Sequence, residues 1–206
     1  MHKPSLLEAR QLSCIRGDRP LFSDVSLRIS SGEGLHIRGE NGVGKTSLLR
    51  LLVGLAKPEV GSVLWNNQTI SEDRVSFHQG LLYIGHRDGL KEELTAVENL
   101  QMYAALDGKS LPIENALLAL QRFGLRGRET LPVHYLSAGQ KRRVLMARML
   151  TRQAKLWILD EPFNALDVKA IAQLGQLMTE HLASGGLLVF TSHQEIGTPN
   201  VRVLDL

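Results

Sequence analysis

Leu35-His36-Ile37-Arg38-Gly39-Glu40-Asn41-Gly42-Val43-Gly44-Lys45-Thr46-Ser47-Leu48-Leu49 is the stretch whose reading decides the fold. Leu35 to Arg38 reads as a short strand running straight into a glycine-rich loop. Thr46 to Leu55 then carries a helical stripe of leucines that ends before Pro58. Gly39 to Thr46 fits the spacing G-x-x-x-x-G-K-[ST], in the strand–loop–helix setting the motif requires. Glycines let the backbone wrap closely around phosphate oxygens, and the N–H groups opening the helix stabilise negative charge. The expected phosphate-binding residues are Gly39, Glu40, Asn41, Gly42, Val43, Gly44, Lys45, Thr46 and Ser47. Lys45 is suited to the β- and γ-phosphates as a point charge. The Thr46 hydroxyl suits Mg²⁺, which keeps several waters and takes few protein ligands. The reading is a nucleoside triphosphate site.

A second decisive run, Leu156-Trp157-Ile158-Leu159, ends in Asp160-Glu161-Pro162. Open α/β sheets present their ligand-binding groups at the carboxyl ends of strands, so Asp160 is expected beside the phosphate loop, supporting the metal. Glu161, next along, is placed to polarise an attacking water. Alone, the two acids would more commonly be an acidic turn; the phosphate loop in the same chain favours the catalytic reading.

Further elements follow outward from these two. Leu6 to Leu12 and Val25 to Ile29 read as strands on either side of a turn at Gly17-Asp18-Arg19-Pro20, and Gly61 to Trp65 with Thr69-Ile70 reads as a hairpin. Residues 91–152 are mostly helical, with breaks at Gly108, Pro112, Gly124 and Pro132. A helix near 168–184 separates the run at Leu156 from Leu187-Leu188-Val189-Phe190. Short apolar runs between helices are the pattern of buried parallel strands. The class is α/β, with an antiparallel β addition at the start and a helical insertion in the middle.

Composition narrows the alternatives. The chain has 206 residues, and 24 Lys+Arg against 21 Asp+Glu leave a net charge of only +3. No apolar run approaches the roughly 18 residues of a membrane span, and the N-terminus lacks a signal-peptide pattern. Cys14, the single cysteine, excludes an internal disulfide and a cysteine-based zinc cage and fits a reducing compartment. The pI near 9.2 invites a nucleic-acid reading, but Lys141-Arg142-Arg143 is the longest basic run, and a solvated helix face explains it better.

Between the two motifs lies Leu136-Ser137-Ala138-Gly139-Gln140, which resembles the LSGGQ signature of ABC-type ATPases. The order of motifs matches too. Asn164-Ala165-Leu166-Asp167 resembles the D-loop and His193 the switch histidine. The resemblance implies a P-loop NTPase with a RecA-like parallel sheet core, an N-terminal antiparallel β subdomain and a helical signature subdomain. It spans 4–206 as one ATP-binding domain, the helical part inserted at approximately 88–150. It also implies ATP and Mg²⁺ as ligands, with Lys45 and Thr46 on phosphates and metal and Asp160 supporting the metal. Glu161 is implied as general base, and His193 as a contact to the γ-phosphate. The family works as two subunits that sandwich two ATP molecules head to tail. Ser137, Ala138, Gly139, Gln140 and Asp167 would then act across the dimer. Read on its own, Ser137 with Gln140 is a capping box for the helix that follows.

Three positions depart from the family pattern. His86 stands where the family has a glutamine that touches Mg²⁺ or its water; neutral imidazole could do the same, and a plain loop histidine is the alternative. Ala138 replaces the first glycine of the signature pair, while Gly139 is retained. Arg16 occupies the approximate place of the adenine-stacking aromatic. Stacking of its guanidinium on the base and an ordinary surface arginine stand as equal readings.

Several stretches, among them Gly42 to Arg50, Tyr83 to His86, Leu94 to Leu100 and Lys155 to Phe163, look like the ATPase subunits of cytochrome c maturation haem exporters. That resemblance implies a peripheral subunit on the cytoplasmic face of a bacterial inner membrane, joined to integral-membrane permease subunits. No haem site is expected on this chain, since its seven histidines form no close ligand pair in sequence. No nucleic-acid partner is expected either: one phosphate loop, one signature and no sustained heptads argue against the nucleic-acid-acting members. An ATPase subunit for a different transported substrate shares every catalytic motif and stays open. Thirteen residues follow His193, leaving no room for a regulatory domain, so control is expected to come through membrane partners.

Overall fold

A computed structural model describes residues 5–86, 89–194, 197 and 199–206. The chain forms two compact units. The first takes residues up to Tyr83 with Ala154–Glu161 and Met178–Leu206; the second takes Ile84–Gln153 and Pro162–Leu177.

The first unit holds two sheets. One is four-stranded, in the order β2-β1-β4-β5, from β1 (Leu6–Arg16), β2 (Arg19–Ser30), β4 (Val60–Trp65) and β5 (Gln68–Thr69). Its pairings are antiparallel. The β4–β5 turn is Asn66-Asn67, both at positive φ, the conformation a two-residue hairpin needs and asparagine tolerates. The first hairpin is longer than periodicity suggests. Arg19 and Pro20, expected in the turn, lie in β2, and β1 continues four residues beyond Leu12. Its register shifts between Ala9 and Leu12, with Gln11 at φ 50°, so the polar–apolar alternation breaks within a continuous strand.

The other sheet runs β6-β7-β8-β3-β9, from β3 (Gly34–Arg38), β6 (Leu81–Ile84), β7 (Leu156–Leu159), β8 (Leu187–Thr191) and β9 (Val201–Asp205). The β7–β8, β8–β3 and β3–β9 pairs are parallel. Their continuous apolar runs are buried throughout β7 and β8. The helix α1 (Lys45–Leu52) buries Leu48, Leu49, Leu51 and Leu52 in the same core as Ile37, Ile158 and Val189. Each fully buried leucine contributes roughly 1.5–3 kcal/mol. That packing fixes where α1 begins, and so fixes the loop ahead of it. A short helix, α2 (Arg74–Gln79), was not expected from the sequence; Asp73 caps it by accepting the Ser76 N–H.

In the second unit α3 (Ala96–Leu106), α4 (Ile113–Arg122) and α5 (Ala138–Thr151) pack on one another, and α6 (Val168–Ala183) begins here. Thr95 and Glu98 form a capping box at α3. Buried Asn99 closes the preceding loop, accepting from Lys91 N–H and donating to the carbonyls of Lys91, Leu94 and Thr95.

At the other end of α6, back in the first unit, His181 stacks on Trp157 with ring centroids 3.8 Å apart and meets the Leu187 carbonyl at 3.1 Å. Burial pushes this imidazole down to about 4. The unfolded chain therefore takes up a proton as pH falls through its ordinary value near 6.5, while the folded chain resists until about 4. This contribution is fully present above that ordinary value and is lost as pH falls, by about 3 kcal/mol at its limit. Urea unfolding at pH 7.5 and pH 5 is expected to show this loss, flattened in His181→Gln; an unchanged pH slope in the variant would contradict it.

Candidate nucleotide site

The phosphate loop joins β3 to α1. Gly44 caps the helix at φ 117°, where a Cβ would also press on Phe22 at 3.0 Å and Leu21 at 3.2 Å, so only glycine fits. No side chain caps α1 and no acid stands in its first turn. The partial positive charge of the helix start therefore faces the loop. Lys45 is 8% exposed, and its ammonium donates to the carbonyls of Gly39 at 2.7 Å and Glu40 at 3.1 Å. The cation is thereby held over the loop. Glu40, Asn41 and Gly42 are exposed at the loop tip.

Asp160 follows the end of β7, as expected, and is 1% exposed. Its two carboxylate oxygens are split between two hydroxyls. Thr46 donates to Oδ2 at 2.8 Å, and Thr191 donates to Oδ1 at 2.9 Å. The Thr191 oxygen also accepts the Glu161 backbone N–H at 2.9 Å. That bond accompanies an unusual backbone: Glu161 sits at φ 47°, the left-handed region that glutamate rarely occupies. The turn brings Glu161 Oε1 to 3.5 Å from His193 Nε2. Lys45, Thr46, Asp160, Glu161 and His193 all belong to the first unit, which joins Thr46, Asp160, Glu161 and His193 directly or through Thr191. The donor set suits Mg²⁺. A hydroxyl and a carboxylate side by side are hard oxygen ligands, and this ion needs few from protein.

The signature residues lie in the second unit. Ser137 and Gln140 form the capping box of α5, with Gln140 N–H donating to Ser137 Oγ at 3.2 Å and Ser137 N–H to Gln140 Oε1 at 2.9 Å. Gly139 has a spatial reason to be glycine: a Cβ there would lie 2.7 Å from the Ala165 carbonyl oxygen. Ala138, the departure from the family pattern, sits beside it as the first residue of the helix. Asp167 accepts the Ala170 N–H at 2.8 Å, capping α6, and pairs with Arg143 at 2.6 Å. Arg142, nearly buried, donates to the Pro162 and Gly85 carbonyls. His86 is exposed and lies in this unit, whereas exposed Arg16 ends β1 in the first.

Comparison with known proteins decides the family. The ABC transporter model matches residues 22–164. The chain belongs to the ABC transporter family. It is 48% identical over 198 residues to the cytochrome c biogenesis ATP-binding export protein CcmA of Escherichia coli K12, covering 96% of this chain and 94% of that one. The Shigella sonnei protein of the same name is 47% identical over the same coverage. Among solved structures, an ATP-binding subunit of an ABC transporter matches at TM-score 0.79 and 30% identity, covering 91% of this chain and 80% of that one. A putative ABC transporter ATP-binding protein from Pyrococcus furiosus shares the fold at TM-score 0.85 and 24% identity, covering 98% and 97%.

Within this ABC fold, Thr191 is the site residue that sequence reading missed. It closes an apolar run and reads as one more strand residue. Its one available signal is its position, two residues before His193. Thr191→Val keeps the shape and removes the hydroxyl that donates to the buried Asp160 carboxylate and accepts the Glu161 N–H. A loss of about 1–3 kcal/mol in urea unfolding is expected, with Thr191→Ser close to wild type. Equal stability of the valine variant would show the hydroxyl to be dispensable.

Proposed function

We propose that this chain is the ATP-binding and ATP-hydrolysing subunit of an ABC transporter complex that powers haem export, or release of haem from a periplasmic chaperone, for c-type cytochrome maturation. The observation that carries the ATPase half is the bond network from Thr46 through Asp160 and Thr191 to Glu161, with His193 beside it. The cytochrome half rests on the 48% identity to the export protein CcmA across nearly the whole chain.

In this reading the loop Gly39–Ser47 and the N-terminus of α1 hold the phosphates. Lys45 leaves its two carbonyls to meet the β- and γ-phosphates, and Arg16 lies towards the base. Thr46 and Asp160 would hold Mg²⁺, with His86 as a further contact. The metal, when bound, neutralises charge on the phosphates. Glu161 takes a proton from the attacking water. His193 donates to the γ-phosphate while Glu161 orients its ring. Ser137, Ala138, Gly139, Gln140 and Asp167 complete the site of a second copy in an ATP-bound homodimer. The reading takes 4–206 as one ATP-binding domain, with its helical part at about 88–150. Integral-membrane permease subunits would hold the chain peripherally on the cytoplasmic face of the inner membrane. Neither a haem site on this chain nor a nucleic-acid partner belongs to the reading.

Glu161→Gln removes the base and keeps the phosphate cradle. ATP-dependent dimerisation should persist while turnover falls by at least about 100-fold, the upper contribution expected of a positioned base being about 10⁴. Cells carrying only this variant should lack covalent haem in periplasmic c-type cytochromes. Unchanged hydrolysis would overturn the catalytic assignment. Normal cytochromes with lost hydrolysis would overturn the export assignment and point to another transported substrate.

A further inference from the structure

The strand ahead of the phosphate loop carries a histidine whose role is not explained by packing alone. His36 lies in the middle of β3, 3% exposed, in register with Phe190 of β8 on one side and Val203 of β9 on the other. Its ring stacks on Phe190 with centroids 4.5 Å apart and planes 12° from parallel. An apolar residue would fill such a place, and a buried imidazole must be hydrogen-bonded to be tolerated.

Both ring nitrogens are engaged, and together they fix the tautomer. Arg38 Nε–H, two residues along the same face, points at Nδ1 from 3.3 Å; an arginine can only donate, so Nδ1 is the acceptor. The proton therefore sits on Nε2, which donates to the Ser192 carbonyl at 3.0 Å. Burial also pushes the imidazole below its ordinary value, in keeping with a neutral ring.

The accepting carbonyl is placed where the ladder stops. The last β3–β8 pair is Ile37 with Thr191, so Ser192 is the first residue beyond it. Its side chain is engaged as well: Ser192 Oγ accepts the Gln194 N–H at 2.9 Å, closing a turn around His193. His36 grips the entrance of this turn through the carbonyl that directly precedes His193.

We propose that His36 is a positioning residue that fixes His193 against Glu161 by holding the Ser192 carbonyl. The phosphate-loop strand and the His193 turn are thereby joined by a side chain as well as by the ladder. The proposal rests on the reading of His193 as the γ-phosphate contact.

The test is steady-state ATP hydrolysis by the full chain, co-purified with its membrane subunits, for wild type, His36→Phe, His36→Gln and His193→Ala. Phenylalanine keeps the stack on Phe190 and removes the donor, so kcat is expected to fall about tenfold, the worth of one well-placed hydrogen bond. KM for ATP should stay within about twofold, because the phosphate cradle is untouched. Glutamine carries an N–H near the place of Nε2 and should bring kcat back to within about threefold of wild type. Wild-type kcat in His36→Phe beside an inactive His193→Ala would overturn the proposal, as would equal losses of kcat in the phenylalanine and glutamine variants. A fully active His193→Ala would instead overturn the reading on which the proposal rests. Should His36→Phe fail to fold, long-range ¹H–¹⁵N spectra of the wild-type chain decide: the Nε2–H tautomer supports the hydrogen bond, and the Nδ1–H tautomer overturns it.

Discussion

The Asp160 carboxylate is the constraint on which the rest of the site depends. It is almost fully buried, and a charge taken out of water must be compensated. Here two hydroxyls share the task, one from the first turn of α1 and one from the end of β8. Three separate pieces of chain are thus tied at one residue: the helix that opens from the phosphate loop, the strand that delivers the acid, and the strand that leads to His193. The hydrophobic core packs these elements together, and burial of apolar surface is non-directional. Hydrogen bonds to a buried carboxylate are directional, so they set the register of the three pieces of chain they join.

The same logic extends outward in steps. Thr191 passes the constraint to Glu161 by accepting its backbone N–H, stabilising a left-handed turn that glutamate would otherwise avoid. Glu161 faces His193, and the chain next to His193 is held by His36 through the Ser192 carbonyl. Apart from His36, which lies in the middle of β3, these links are polar groups placed at or just beyond a strand end. Beyond the strand end the ladder stops and backbone hydrogen-bonding capacity is left for side chains to use. The second unit solves a comparable problem with helix caps. Ser137 with Gln140 and Asp167 with Ala170 fix the starts of α5 and α6.

Much of this was legible in the amino-acid sequence, for identifiable reasons. The phosphate loop declares itself through glycine spacing and flanking elements, and β7 through an apolar run that stops abruptly at two acids. The capping box at Ser137 follows from local spacing alone. The residues that were not legible are those whose function depends on a distant neighbour. Thr191 and His36 look like ordinary strand residues until β3, β7 and β8 are laid side by side. The helix α2 is not legible because six residues are too few to establish a 3.6-residue period. The first hairpin reads short because a bulge at Gln11 interrupts its alternation. The second unit also draws in Pro162–Leu177, from beyond β7, and no change of composition marks that return.

The proposed role of Asp160, linking nucleotide to metal, is addressed directly by a calorimetric titration. A non-hydrolysable ATP analogue is titrated into wild type and Asp160→Asn, with and without Mg²⁺. Mg²⁺ is expected to tighten binding to wild type and to confer no such gain on the variant, whatever their affinities for the metal-free analogue. A Mg²⁺-dependent gain of the same size in Asp160→Asn would contradict it.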